Sequence, residues 1–160
     1  NRPKGMGHAV NIAMKVVKTT YSAVIWSDQI YLNTDTMKKT IDFFIKKKST
    51  LCFPVYKKKK PYTYILRDKN KKFKDILQTR EFNKKIKLGE SDCGFFVFRS
   101  GIVKEKLKIL IKKKLIITKK NKEIDFFKSF KFIKKHGNVD VVKAKSYRDT
   151  IGVNFLEDLI

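Results

Sequence analysis

The sequence predicts an α/β domain with helices on both faces of a sheet. Three observations predict it. Apolar runs of strand length alternate with segments whose apolar residues recur at helical spacing, the pattern of a layered α/β fold. The chain of 160 residues, 42% hydrophobic and 12% aromatic, is large enough to bury one ordinary core. No internal repeat breaks the order, and no apolar run approaches the ~20 residues that would cross a membrane.

Taken in order, residues 1–7 are a loop punctuated by Pro3, Gly5 and Gly7. Residues 8–18 read as a helix, with Ala9, Val10, Ala13, Met14 and Val17 on one face. A Gly-rich turn leading into a helix offers N–H groups and a positive dipole end to a phosphate. Residues 21–26 read as a buried strand: Val24, Ile25 and Trp26 suit a sheet interior, and Ala23 allows close packing. The polar turn Ser27-Asp28-Gln29 then leaves the sheet. In open α/β sheets ligands bind just beyond the carboxyl ends of strands, so Asp28 is either a metal-holding carboxylate or a turn residue.

Thr34 or Asp35 caps a helix running to residue 48, with Met37, Ile41, Phe44 and Ile45 as its buried stripe. Residues 50–56 are a strand, and residues 62–67 and 73–78 a hairpin around Asp68-Lys69-Asn70-Lys71. Residues 82–90 are a charged connector. Residues 91–98 are a strand whose interior Gly94 marks a close approach by another group. Helices follow at 100–114 (Ile102, Val103, Leu107, Leu110 and Ile111 inward) and at 123–135 (Ile124, Phe127, Phe130 and Ile133 inward), the second closed by Gly137. Residues 139–145 are a strand, 149–154 a loop, and 155–160 the start of a last helix.

The formal charge is +24, and only five of the 39 basic residues are Arg. Lysines fall in runs such as Lys46 to Lys48, Lys57 to Lys60 and Lys112 to Lys114, mostly at the ends of apolar segments. Two readings stay open: a solvated, Lys-biased surface, or a basic nucleic-acid-binding module. Arg, the residue of bidentate base contacts, is scarce. Cys52 and Cys93 lie far apart in apolar runs and, with His8 and His136, form no zinc pattern. Free buried cysteines suit a reducing, cytoplasmic setting.

Three ordered stretches resemble the sugar-phosphate nucleotidyltransferase family, nearest to its N-acetylglucosamine-1-phosphate uridyltransferase branch. Lys4-Gly5-Met6-Gly7-His8-Ala9 is similar to the family's L-G-T-G-H-A, Trp26-Ser27-Asp28 to its Y-G-D, and Gly152-Val153-Asn154 with Leu159 to its G-V-N-x-x-x-x-L. Between them, residues 62–81 and 91–100 match a strand pair and a further strand. The resemblance implies one domain over residues 1–160 with a three-layer, Rossmann-like mixed sheet of the nucleotide-diphospho-sugar transferase type. It implies a nucleoside triphosphate and a sugar 1-phosphate as partners, with Mg2+ as cofactor.

By the same resemblance Asp28 and Asn154 are the metal ligands and catalytic pair. Gly5, Met6, Trp26 and Ser27 contact the nucleotide; Thr63, Gln78, Arg80 and Asp92 contact the acceptor. Met6 stands for a Thr, Ser27 for a Gly, Thr63 for a Gly, Gln78 for a Glu and Asp92 for an Asn, and Arg80 stands where relatives carry a Lys. These changes leave the acceptor open. A non-catalytic relative that binds a sugar nucleotide is the further alternative. The family's first strand and its Gly-rich triphosphate loop have no counterpart here, so the chain is expected to be a fragment, inactive alone.

Overall fold

The structure, a computed structural model, describes residues 3–81 and 86–159, apart from the side chain of Arg80. It is organised on β2 (Leu51–Lys59), whose first five residues are all buried. Along one edge β2 runs antiparallel to β6 (Phe95–Arg99) at Leu51 and Cys52, then to β5 (Leu88–Asp92) from Val55 to Lys59. Along the other it runs parallel to β7 (Val139–Lys143), in register from Leu51↔Val139 to Val55↔Lys143. β1 (Tyr21–Ile25) adds antiparallel to the far side of β6, and β3 (Thr63–Arg67) and β4 (Phe73–Gln78) form a separate hairpin. The expected mixed α/β sheet is the observed one.

Strand side chains alternate between faces, so adjacent residues feed two cores. Leu51, Phe53, Val55, Phe96 and Phe98 point into one cluster, with Val10 and Met14 of α1 (Met6–Val16) and Val103, Leu107 and Leu110 of α3 (Ser100–Lys112). Cys52, Phe95, Val97 and Val142 point the other way, against Phe44 of α2 (Thr34–Lys47). This places α2 on one face and α1, α3 and α4 (Phe130–Ile133) on the other, giving three layers. Phe96 is the hub of the larger cluster: its ring lies 5.3 Å from Trp26, 5.6 Å from Phe53 and from Phe130, and 5.8 Å from Phe126 and from Phe127.

Several elements differ from the sequence reading, each for a local reason. β1 is not buried: among the described residues it pairs only with β6, and Tyr21 and Ile25 are about half exposed (48% and 50%). The α2 face is turned by one position, burying Thr36, Thr40 and Phe44 while Ile41 and Ile45 face outward. Thr36 and Thr40 are buried because their hydroxyls are used: Thr40 donates to the Thr36 carbonyl, and Thr36 donates to Asp149.

The helix expected from residue 123 begins later, as a 3₁₀ turn at Phe127–Ser129 leading into α4. Residues 123–125 are engaged elsewhere. The Ile124 N–H donates to the Lys4 carbonyl, its carbonyl accepts from Gly7, and the Asp125 carboxylate accepts from the Phe127 N–H. The last helix reduces to one 3₁₀ turn, Leu156–Asp158. The strand read as residues 91–98 is two strands broken at Gly94, and the charged connector ends in β5. Residues 82–85 of that connector lie outside the described residues.

Candidate functional site

A cavity of about 630 Å³ opens where the strand ends meet the last segment of the chain. Its walls come from Met6 at the start of α1, Trp26 to Gln29 beyond β1, Lys58 on β2, Tyr62 and Thr63 at β3, Ser91 and Asp92 at the end of β5, Phe127, and Thr150, Gly152 and Asn154.

The Asp28 wall is built by two glycines. Gly94 adopts φ +66°, and its carbonyl accepts from the Trp26 N–H at 2.9 Å. A Cβ there would lie 2.5 Å from Gln29 Cγ and 2.9 Å from Trp26 Cδ1, so the Trp26–Gln29 turn packs where no other residue would fit. From the far end of the chain, the Val153 N–H donates to the Asp28 carbonyl at 2.9 Å. Gly152 lies so close that a Cβ on it would sit 2.6 Å from Asp28 Oδ2 and 2.9 Å from Gln29 Nε2. Gln29 Oε1 is buried beside them with no hydrogen-bond partner among the described residues.

That last segment is held by Asp149, which is fully buried. Its carboxylate accepts from the Asn33 N–H at 2.7 Å, the Thr36 hydroxyl at 2.7 Å and the Ser146 N–H at 3.0 Å. The turn after Asn154 is capped by Asp158, which accepts from the N–H groups of Asn154 and Phe155. The Asn154 side chain does not cap that turn. It lines the cavity, and its amide donates to the Gly152 carbonyl at 3.4 Å.

The opposite wall is a network of short side chains. The Thr63 hydroxyl donates to Asp92 Oδ1 and lies 2.9 Å from the Ser91 hydroxyl, while Asp92 Oδ2 accepts from the Gly94 N–H at 2.9 Å. Burial raises the Asp92 pKa above the ordinary carboxylate value; its hydrogen bonds to Thr63 and Gly94 oppose that, and the nearby Asp28 charge adds to it. On β2, Lys58 turns inward, with its ammonium 3.3 Å from the Thr150 carbonyl and 5.3 Å from the centre of the Tyr147 ring. Burial lowers its pKa, and the charge of Asp92 acts in the opposite sense.

The strand order, the two-faced core and the cavity at the strand ends can be set beside solved structures. HddC from Yersinia pseudotuberculosis matches with a TM-score of 0.64 at 20% identity, and the same protein complexed with GMP-PN with 0.61 at 19%. A UDP-glucose pyrophosphorylase complexed with UDP-glucose matches with 0.68 at 18%. The fold is that of the nucleotide-diphospho-sugar transferases. In each match 99% of this chain aligns, and it spans 60% of the other chain's length. No family model matches the sequence, and a search of curated proteins finds no match.

Within this transferase fold, the residues singled out in sequence divide. Met6, Trp26, Ser27, Asp28, Thr63, Asp92 and Asn154 all line the cavity. Gly5 does not: its open side is filled by residues 123 and 124, and a Cβ there would lie 2.7 Å from the Ile124 carbonyl oxygen. The glycine serves chain packing at this point. Gln78 is also absent from the walls, being buried on β4 near Asp125. The side chain of Arg80 lies outside the description.

Lys58, Gln29, Ser91 and Gly152 are wall residues to which the sequence reading gave no site role. For Lys58 a signal existed: strand alternation turns Lys57 and Lys59 outward and Lys58 inward. Among the described residues no three His, Cys, Asp or Glu side chains gather as a metal cluster. The cavity's side-chain oxygens include the carboxylates of Asp28 and Asp92, the amides of Gln29 and Asn154, and the hydroxyls of Ser27, Tyr62, Thr63, Ser91 and Thr150.

Proposed function

We propose that this chain forms the acceptor and metal side of a nucleotidyltransferase site that joins a nucleoside monophosphate to a sugar 1-phosphate. One observation carries the reading: Asp28 and the Gly152–Asn154 segment, from opposite ends of the sequence, meet at one cavity. Solved structures of the same fold complexed with GMP-PN and UDP-glucose support it.

In the proposed reaction a phosphate oxygen of the acceptor attacks the α-phosphorus of the triphosphate. The bond to the β-phosphate oxygen breaks, and pyrophosphate leaves. The nucleophile is already ionised, so no general base is needed, and rate depends on positioning and charge. Asp28 and Asn154 would hold Mg2+, since a carboxylate and an amide are hard oxygen donors of the kind it takes. Bound there, the ion would supply neutralisation of phosphate charge. Met6 and Trp26 offer an apolar surface for the nucleotide. Thr63, Ser91 and Asp92, locked together by hydrogen bonds, present a polar wall for the acceptor. The basic surface does not favour the nucleic-acid reading. Exposed lysines lie on α2 and on the α3–α4 side, on opposite faces of the sheet, not along one groove.

Trp26, the only Trp in the chain, lines the cavity and reports on it. Titration with UDP-glucose in the presence of MgCl2 should change its fluorescence saturably, and Asp28→Asn should weaken that binding about tenfold or more. Pyrophosphate release from nucleoside triphosphates with a panel of sugar 1-phosphates tests turnover. No saturable change at millimolar ligand and no pyrophosphate with any pair would remove the reading.

A further inference from the structure

Among the charged groups of the cavity, the proposed chemistry leaves one without a task. Lys58 is the only Lys or Arg lining the cavity among the described residues. It stands in the run Lys57 to Lys60, where its two neighbours are exposed and it alone turns in, half-buried. An ammonium carries three donors, and among the described residues it has one hydrogen-bond partner, the Thr150 carbonyl at 3.3 Å. No carboxylate among the described residues comes within 4.0 Å of it. A partly desolvated cation with spare donors is costly unless an anion completes it.

The other charges on these walls are Asp28 and Asp92, both negative. A phosphate entering between them would be repelled unless a cation faced it. We propose that Lys58 is the anion-recognition point of the cavity and binds the phosphate of a phosphomonoester acceptor. Lysine serves as a mobile point charge for this purpose, suited to a phosphate that shifts as it reacts. The Thr150 carbonyl and the Tyr147 ring hold the ammonium at the wall, and the Thr63–Ser91–Asp92 network takes the body of the acceptor. The word acceptor rests on the nucleotidyl-transfer reading; the recognition of a phosphomonoester does not.

The test is calorimetric titration, checked by Trp26 fluorescence, with glucose 1-phosphate, inorganic phosphate and uncharged glucose. It compares the wild-type protein with Lys58→Gln, Lys58→Arg and the exposed control Lys57→Gln. Lys58→Gln should weaken glucose 1-phosphate and inorganic phosphate by about ten- to a hundredfold, the usual weight of a charged hydrogen bond. It should leave the weaker binding of glucose unchanged. Lys58→Arg should retain most of the affinity, and Lys57→Gln all of it. Equal affinity of Lys58→Gln and wild type for glucose 1-phosphate overturns the inference, as does failure of the wild type to bind either phosphate. Lys58-dependent phosphate binding with no saturable response to UDP-glucose and MgCl2 would overturn nucleotidyl transfer alone. Turnover with an unchanged acceptor KM in Lys58→Gln would overturn the role of Lys58 alone.

Discussion

Asp149 shows how much one buried carboxylate can hold. It satisfies two backbone N–H groups and a hydroxyl from two segments, the start of α2 and the turn at Ser146, and through them sets the height of Gly152 against Asp28. Asp149→Ala should cost about 2–4 kcal/mol, because the donors it leaves are buried, at Thr36, or half-buried, at Asn33 and Ser146. A urea titration checks this, and loss of ligand-induced Trp26 fluorescence should accompany it. The cysteines answer first to burial. Cys52 is pushed up to about 12, chiefly by desolvation, and Cys93 is raised for the same first reason. Neither thiol should react with a disulfide reagent at pH 8 in the native protein, and both should react in denaturant.

Asp125 gives a signed pH effect. Burial raises its folded pKa above 3.8, outweighing the hydrogen bond from the Phe127 N–H. The native state therefore holds that proton more tightly than the unfolded chain. Its contribution is greatest below pH 3.8 and is lost as pH rises through the folded value. Asp125→Asn keeps an acceptor for the Phe127 N–H and removes the charge. Its stability relative to wild type should rise across that window, measured by urea unfolding at several pH values.

Among the elements, β6 carries most weight. Its alternation of Phe96 and Phe98 on one face with Phe95 and Val97 on the other joins both cores. Phe96→Ala should cost about 3–5 kcal/mol in chemical unfolding. Where β5 gives way to β6, Gly94→Ala would face both a left-handed backbone and the Trp26–Gln29 turn. It should cost about 2–4 kcal/mol and disturb the Trp26 emission of the free protein. Most strands were legible because apolar runs and period-two alternation mark them; β5, with Gly89, Glu90, Ser91 and Asp92, carries neither mark. The buried face of α2 was not, since Thr36 and Thr40 are polar until Asp149 and the helix carbonyls are seen. Nor was the late start of the 127–136 segment, because Ile124 is consumed by long-range pairing with Lys4 and Gly7, and the Asp125 N–H by the Ile116 carbonyl, which no local pattern encodes. Seven of the expected site residues reached the cavity on motif spacing, while Lys58 was masked by the lysines around it.

For the whole molecule, a charge of +24 spread over both outer layers sets a uniform self-repulsion. Raising NaCl from 10 to 200 mM should therefore stabilise the fold by about 1 kcal/mol, some 3 °C in Tm for a chain of this size, measured by thermal unfolding. The three-layer order itself was readable from the alternation of elements, while the position of β1 at an open edge depends on pairing that composition does not specify. The clasp between the Asp28 carbonyl and the Val153 N–H spans almost the entire sequence. A product that stops short of Val153 would lack this bond, so the two walls it joins would stay apart and the cavity between them unformed.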